Sequence, residues 1–343
     1  MNSFVINMIK TDYIKEQLAP FHLAYYRFSY IAKEEVRFNS YKGTVFRGGL
    51  GHALKDKTCL LPDAQCVHCC LNSSCIYVNI FESPVPEDSK YFAGQPYAPH
   101  PFIIEPPLEK KNVYRPGEVI DFKLILVGSA VRYLPHFINA FIELGQRGIG
   151  RLVNGYRGKC MLNRVESLGS IDGEPLSTLF ISNSHSYQGA SVLLDLNTLL
   201  NNSGGFRGHC RYLRISFVTP TIIKFLGHVL NTIDFKVFMK NIFRRISVLS
   251  YFYCGHDFDL DYNLLLDYAG QVKIAENELN RVTWNRVTGR QRQRFKAEGF
   301  KGDIAFQGDL ELFMPFILLG QYLNLGKGTS FGYGKYVLKE ICP

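Results

Sequence analysis

Two stretches of this chain end in the same order: an amphipathic helical pattern, a glycine-rich segment, then a short alternating strand. The first comprises residues 131–143, then Leu144-Gly145-Gln146-Arg147-Gly148-Ile149-Gly150-Arg151, then 158–165. The second comprises residues 310–323, then 326–334, then 335–341. A β-α-β-β-α-β unit ends this way. Two such units in tandem predict two sheets backed by helices, an α+β protein. The predicted boundaries are 1–200 for the first domain and 205–343 for the second. The 343 residues are enough for two domains of ordinary size.

The second glycine-rich segment places Gly326, Gly328, Gly332 and Gly334 within nine residues, with Lys327 and Lys335 beside them. Glycine admits positive φ and lets another backbone approach closely. The spacing G-x-G-x-x-x-G-x-G, between a helix and a strand, is not the G-x-x-x-x-G-K-[ST] loop of nucleotide triphosphatases. Nor is it the dinucleotide fingerprint G-x-G-x-x-G. The sequence leaves two readings open: a tight turn, or backbone that holds an anion.

Charge favours a polyanionic partner. Lysine and arginine number 39 against 30 aspartates and glutamates, a net +9. Between residues 281 and 301 stand Arg281, Arg286, Arg290, Arg292, Arg294, Lys296 and Lys301, with Glu298 the one acid. Trp284, Phe295 and Phe300 are interleaved, so the stretch predicts a surface that contacts phosphates and stacks bases. No run of eighteen apolar residues predicts a membrane span. The first ten residues lack a signal-peptide pattern, so a cytoplasmic protein is expected.

Other segments predict strands at 22–32, 119–127, 211–218 and 299–308, and helices at 48–57 and 234–251. Pro315 is expected to end or kink a helical turn. Residues 82–118 hold eight prolines and read as a long connector. Before them lies a cysteine-rich insert, at about 59–81, with five of the nine cysteines within 59–75. Cys59, Cys66, Cys69 and Cys75 suit four thiolates around zinc, or a [4Fe–4S] cluster, with Cys70 left over and His68 a substitute ligand.

These motifs resemble the CRISPR-associated endoribonucleases that process precursor CRISPR RNA, of the RAMP superfamily. Phe46-Arg47-Gly48-Gly49-Leu50-Gly51-His52-Ala53-Leu54 resembles the family's first-helix motif, and 326–334 its glycine-rich loop. The cysteine set with Tyr77 and Phe81-Glu82 is similar to one branch. Arg290-Gln291 followed by Gly299-Phe300-Lys301-Gly302 resembles the basic motif of the second domain.

The resemblance implies tandem ferredoxin-like domains with a basic cleft, and metal-independent cleavage within the repeat of a long transcript. Attack by the 2′-hydroxyl would leave a 2′,3′-cyclic phosphate and a 5′-hydroxyl. It implies His52 as general base or acid, Lys55 (or Lys57) facing the phosphorane, and Tyr41 (or Tyr30) orienting the phosphate. Arg47, Arg147, the arginines of 281–294 and the glycine loop with Lys327 and Lys335 would bind RNA. No cofactor is expected for catalysis, and structural zinc is. The expected partners are CRISPR repeat RNA and other effector subunits, with no membrane and no nucleotide cofactor. One departure stands out: Asn324 occupies a position where many relatives carry histidine. That keeps open a second reading, a RAMP subunit that binds guide RNA without cutting.

Overall fold

The computed structural model describes residues 11–39, 41–183, 187–202, 210–287 and 294–342. The elements begin with α1 (Thr11–Leu18), β1 (His22–Ala32), β2 (Val36–Arg37), α2 (Gly43–Thr58), α3 (Ile76–Phe81), β3 (Phe102–Glu105), β4 (Val113–Tyr114) and β5 (Val119–Val127). Then come α4 (Leu134–Arg147), β6 (Ile149–Val153), β7 (Tyr156–Gly158), β8 (Cys160–Leu168), β9 (Pro175–Ile181), β10 (Leu193–Asp195) and α5 (Leu196–Asn202). The rest are β11 (Tyr212–Thr221), β12 (Lys224–Phe225), β13 (His228–Val229), α6 (Phe235–Leu249), α7 (Tyr262–Ala269), β14 (Lys273–Val287), β15 (Arg294–Gln307), α8 (Met314–Leu323) and β16 (Tyr336–Cys342). They form two compact units, residues 23–193 and residues 1–22 with 194–343.

In the 23–193 unit the strands run β3-β5-β1-β8-β9, with each neighbouring pair along this path antiparallel. Taking β1, β3, β5 and β8 as strands one to four, α2 lies between the first two and α4 between the last two. The spatial order 2-3-1-4 is that of a β-α-β-β-α-β fold. The second sheet repeats it as β14-β15-β11-β16, with α6 after its first strand and α8 before its last. The chain is thus a tandem ferredoxin-like α+β protein.

Each core follows from the sheet's period of two against the helix's 3.6. In the first unit, Phe28 and Phe122 project from paired strands and meet Phe141 of α4 at centroid distances of 5.1 and 4.8 Å. In the second, Phe217, Phe238, Phe306 and Tyr336 are buried together. Fully burying one such ring contributes about 1.5–3 kcal/mol.

Several expectations needed correction. Residues 82–118 are not only a connector, because β3 lies among them. All four of its residues are buried, so it shows no alternation, and it pairs with β5 alone. An edge strand tolerates prolines at its ends. The helix expected at 48–57 begins at Gly43 and absorbs its glycines. Helix packing explains this: a side chain on Gly49 would meet Leu144 at 2.4 Å, and one on Gly51 would meet Phe81 at 3.1 Å. Pro315 kinks nothing, since it occupies the first turn of α8, where its missing N–H has no partner to lose. No helix among the described residues is long and apolar enough to cross a membrane.

Candidate functional site: a histidine helix, a glycine clasp and a basic hairpin

Helix α2 carries the predicted catalytic group of the first unit. His52 is exposed on it, with Lys55 one turn further on. Gly48 lies one turn before His52, and a side chain there would meet nothing within 4 Å. The surface beside His52 is therefore bare helix backbone, open to a close approach. The Lys55 ammonium stands 5.7 Å from the centre of the Tyr77 ring. Tyr41 is half-buried two residues before the helix begins.

The adjacent face of α2 packs on α3. Arg47 stacks over the Phe81 ring at 4.9 Å, and its Nη2 reaches the Nε2 of His100 at 2.9 Å. A guanidinium only donates, so that nitrogen of His100 accepts and its proton sits on Nδ1. His100 was missed in the sequence because it lies in a proline-rich stretch with no periodicity. Arg147 is engaged at the surface by Asp56 and by Glu143. Lys57 also pairs with Glu143 at 2.8 Å. Lys57 and then Arg147 hold the Glu143 carboxyl below its ordinary range.

The glycine-rich loop of the second unit is folded onto its own sheet. Leu325 N–H donates to the Gly334 carbonyl at 2.8 Å, Lys327 N–H to Ile222 at 2.9 Å, and Gly334 N–H to Pro220 at 3.0 Å. The glycines make this possible. Gly326, Gly328, Gly332 and Gly334 all take φ between +76° and +82°. A side chain on Gly326 would stand 2.2 Å from the Ile222 carbonyl oxygen, and one on Gly334 would stand 1.8 Å from that of Leu325. Lys327 is exposed, whereas Lys335, expected beside phosphates, is buried, and its N–H donates to Thr219 Oγ1 at 2.8 Å. Of the two readings of this loop, its backbone serves the close-packing one.

Asn324 closes the loop. It is fully buried at φ +55° and ψ 161°, a region that few residues other than glycine adopt. Its Nδ2 donates to the Tyr333 carbonyl at 3.1 Å. Arg245 of α6 caps the preceding turn, donating from Nε to the Leu323 carbonyl at 3.2 Å.

The basic stretch is the long hairpin of β14 and β15, in which Arg281 opposes Phe300. It escaped detection as paired strands because β14 is largely exposed and lacks apolar alternation. Arg281 is paired with Glu298 across the hairpin. Arg290 and Arg292, and the side chains of Arg286, Arg294 and Phe295, lie outside the described residues. Phe300, expected to stack bases, is fully buried in the core. Trp284 contacts the glycine loop instead: its Nε1 donates to Tyr333 Oη at 2.8 Å, and the rings meet edge to face at 5.2 Å.

In the cysteine-rich segment all five thiols are free. Burial raises the Cys66 thiol above its ordinary value, and Glu82, Cys59 and Cys75 push the same way against Lys55. Cys59 and Cys75 therefore lie within electrostatic reach of Cys66. Among the described residues, however, no group of three or more His, Cys, Asp or Glu side chains surrounds a metal-sized point.

Residues 215–336 match the family model of the CRISPR-associated endoribonuclease Cas6. Residues 21–191 match a model described only as an N-terminal domain. No curated protein matches the sequence. Among solved structures, a partial Cas6-RT-Cas1–Cas2 complex aligns with TM-score 0.55 at 14% identity, over 93% of this chain and 46% of that one. A Cas6 product complex aligns with TM-score 0.54 at 14% identity, over 92% of this chain and 99% of that one. Thermus thermophilus Cas6 aligns with TM-score 0.52 at 13% identity, over 93% and 99%. The chain thus spans less than half of the first neighbour and nearly all of the other two. These likenesses agree with the tandem ferredoxin-like fold. The Cas6 endoribonuclease family match thus lies in the second unit, in residues 215–336, and the chain as a whole shares the fold of these Cas6 structures.

Proposed function

We propose that this protein cuts precursor CRISPR RNA within its repeats, without a metal in the chemistry. The observation that carries this reading is the exposed His52 on α2, flanked by bare backbone at Gly48 and by Lys55. His52 takes the proton of the 2′-hydroxyl as the O2′–P bond forms. The P–O5′ bond breaks, and water protonates the leaving oxygen. The products are a 2′,3′-cyclic phosphate and a 5′-hydroxyl. Lys55 offsets the charge of the phosphorane, and Tyr41 orients the phosphate. Arg47, Lys327 and the arginines of the β14–β15 hairpin hold the RNA. Cys59, Cys66, Cys69 and Cys75 would have to draw together to hold a structural zinc ion, or a [4Fe–4S] cluster, that would close their segment. Elemental analysis of purified protein distinguishes zinc from iron. The work is done in the cytoplasm, alongside other CRISPR subunits.

Repeat RNA is expected to be cut in EDTA, and the same RNA with a 2′-deoxy sugar before the scissile bond to stay whole. His52→Ala is expected to slow cleavage by about 10²–10⁴-fold. Cutting of the deoxy substrate, a need for magnesium, or an unaffected His52→Ala would each sink the mechanism. One observation favours a second reading, in which the chain binds without cutting. At residue 324 there is no titratable group, and the asparagine is committed to the loop. Tight binding of repeat RNA with no cleavage product would decide for that reading.

A further inference from the structure

The hairpin of β6 and β7 is not absorbed by this mechanism. It occupies, in the first unit, the place that the glycine loop occupies in the second: between the last helix and the last strand of the fold. Its turn is Asn154-Gly155, at φ +51° and +85°. Both positions are left-handed, as a tight turn between right-twisted strands requires.

The root of the hairpin is fixed. A side chain on Gly150 would stand 2.4 Å from the Arg37 carbonyl oxygen, and one on Gly158 would stand 2.3 Å from that of Glu35. The hairpin backbone therefore lies directly on the β2 segment, with Ile149 and Gly158 buried. The tip is built differently. Tyr156 is 79% exposed and Leu152 is 56% exposed. Arg151 and Arg157 are exposed beside them, and neither has an ion-pair partner among the described residues. The Arg157 Nε donates to the Gly150 carbonyl at 3.2 Å, which orients its guanidinium. The nearby acids are occupied: Glu35 pairs with Arg37 at 2.7 Å, and Glu34 accepts the Lys159 N–H at 3.1 Å.

A buried root, an exposed aromatic ring and unpaired cations of one sign are what an unpaired nucleic-acid strand needs. The ring offers a stacking face to any base, and the cations follow the phosphates. We infer that the β6–β7 hairpin is a second contact for single-stranded RNA, with Tyr156 stacking on a base and Arg151 and Arg157 on flanking phosphates. The inference rests on the reading that the chain binds RNA, but it uses no residue of that proposed site.

The test measures binding of a labelled single-stranded repeat RNA and of a fully paired duplex to the full chain across a range of salt. The proteins are wild type, Arg151→Ala/Arg157→Ala, Tyr156→Ala and Tyr156→Phe. The double variant is expected to flatten the log–log salt slope for the single strand by about 1.4, two phosphates at about 0.7 each. Tyr156→Ala is expected to weaken single-strand binding by about 5–150-fold. Tyr156→Phe should restore it, and the duplex should be indifferent to the tyrosine. The tyrosine changes are on an exposed side chain, so their thermal unfolding should not move, and the arginine pair should lose no more than the one hydrogen bond to Gly150. Wild-type binding with unchanged affinity and slope in the variants overturns the hairpin contact alone, and leaves the tip as a protein contact. A wild type that binds no RNA overturns the functional reading itself.

Discussion

The two ferredoxin-like units use one device and then part company. In the first, Tyr30 of β1 donates its hydroxyl to the Phe141 carbonyl of α4, and Gly145 of that helix leaves room for the ring at 3.1 Å. In the second, Tyr336 of β16 donates to the Ile317 carbonyl of α8 at 2.6 Å, and Gly320 leaves room for that hydroxyl. Burial raises both phenols well above their ordinary values, so both stay protonated donors. Beyond this shared anchor the chains diverge. The first unit sends out a hairpin with an exposed tip, and the second folds its loop back under Asn324. Glycines do the same work in both, letting backbone lie on backbone. What differs is where the cations end: Arg151 and Arg157 both face solvent, whereas the loop exposes Lys327 and buries Lys335.

The sharpest way to break this comparison is to add one methyl group to each connection. Gly334→Ala places a carbon 1.8 Å from the Leu325 carbonyl oxygen, at φ +76°. Neither partner is a flexible side chain, so a loss of about 3–5 kcal/mol is expected in urea unfolding. Gly155→Ala shares the positive φ, at +85°, but meets nothing within 4 Å. Its cost should be only that of a left-handed residue, about 1–2 kcal/mol. Equal losses would mean that the loop is no more closely packed than the hairpin tip.

Asn324 gives a smaller effect with a sign of its own. Asn324→Ala removes the bond to the Tyr333 carbonyl and keeps the unfavourable backbone, for a loss of about 1–3 kcal/mol. Asn324→Gly loses the same bond but relieves the backbone, which should recover about 1–3 kcal/mol. An alanine variant more stable than the glycine variant would show that the strain is not real.

The sequence announced β1 and β5 at their observed ends, because each alternates or is aromatic along its length. It concealed β3 and β14 for opposite reasons. β3 is too buried to alternate, and β14 is too exposed to show an apolar face. The site was legible in the same uneven way. His52 and Lys55 sit on a helix whose period orders them. His100 reaches Arg47 only because the fold brings residues 53 positions apart together. Two of the interleaved aromatics of the basic stretch, Trp284 and Phe300, misled for a physical reason. Strand alternation sends neighbours to opposite faces, so Phe300 entered the core while Trp284 turned toward the glycine loop.

That contact yields the smallest effect and the most specific readout. Tyr333→Phe keeps the ring against Trp284 and removes the acceptor of its Nε1–H. The stability loss should be about 0.5–1.5 kcal/mol, small beside Gly334→Ala. Trp284 is the only tryptophan in the chain, so its fluorescence reports this one bond. Tyr333→Phe should alter the emission, and Tyr156→Phe, at the hairpin of the other unit, should leave it unchanged. An emission spectrum indifferent to Tyr333→Phe would mean that the loop and the β14–β15 hairpin are not tied together through this bond. The second unit's connection would then differ from the first only in its burial, not in what it holds in place.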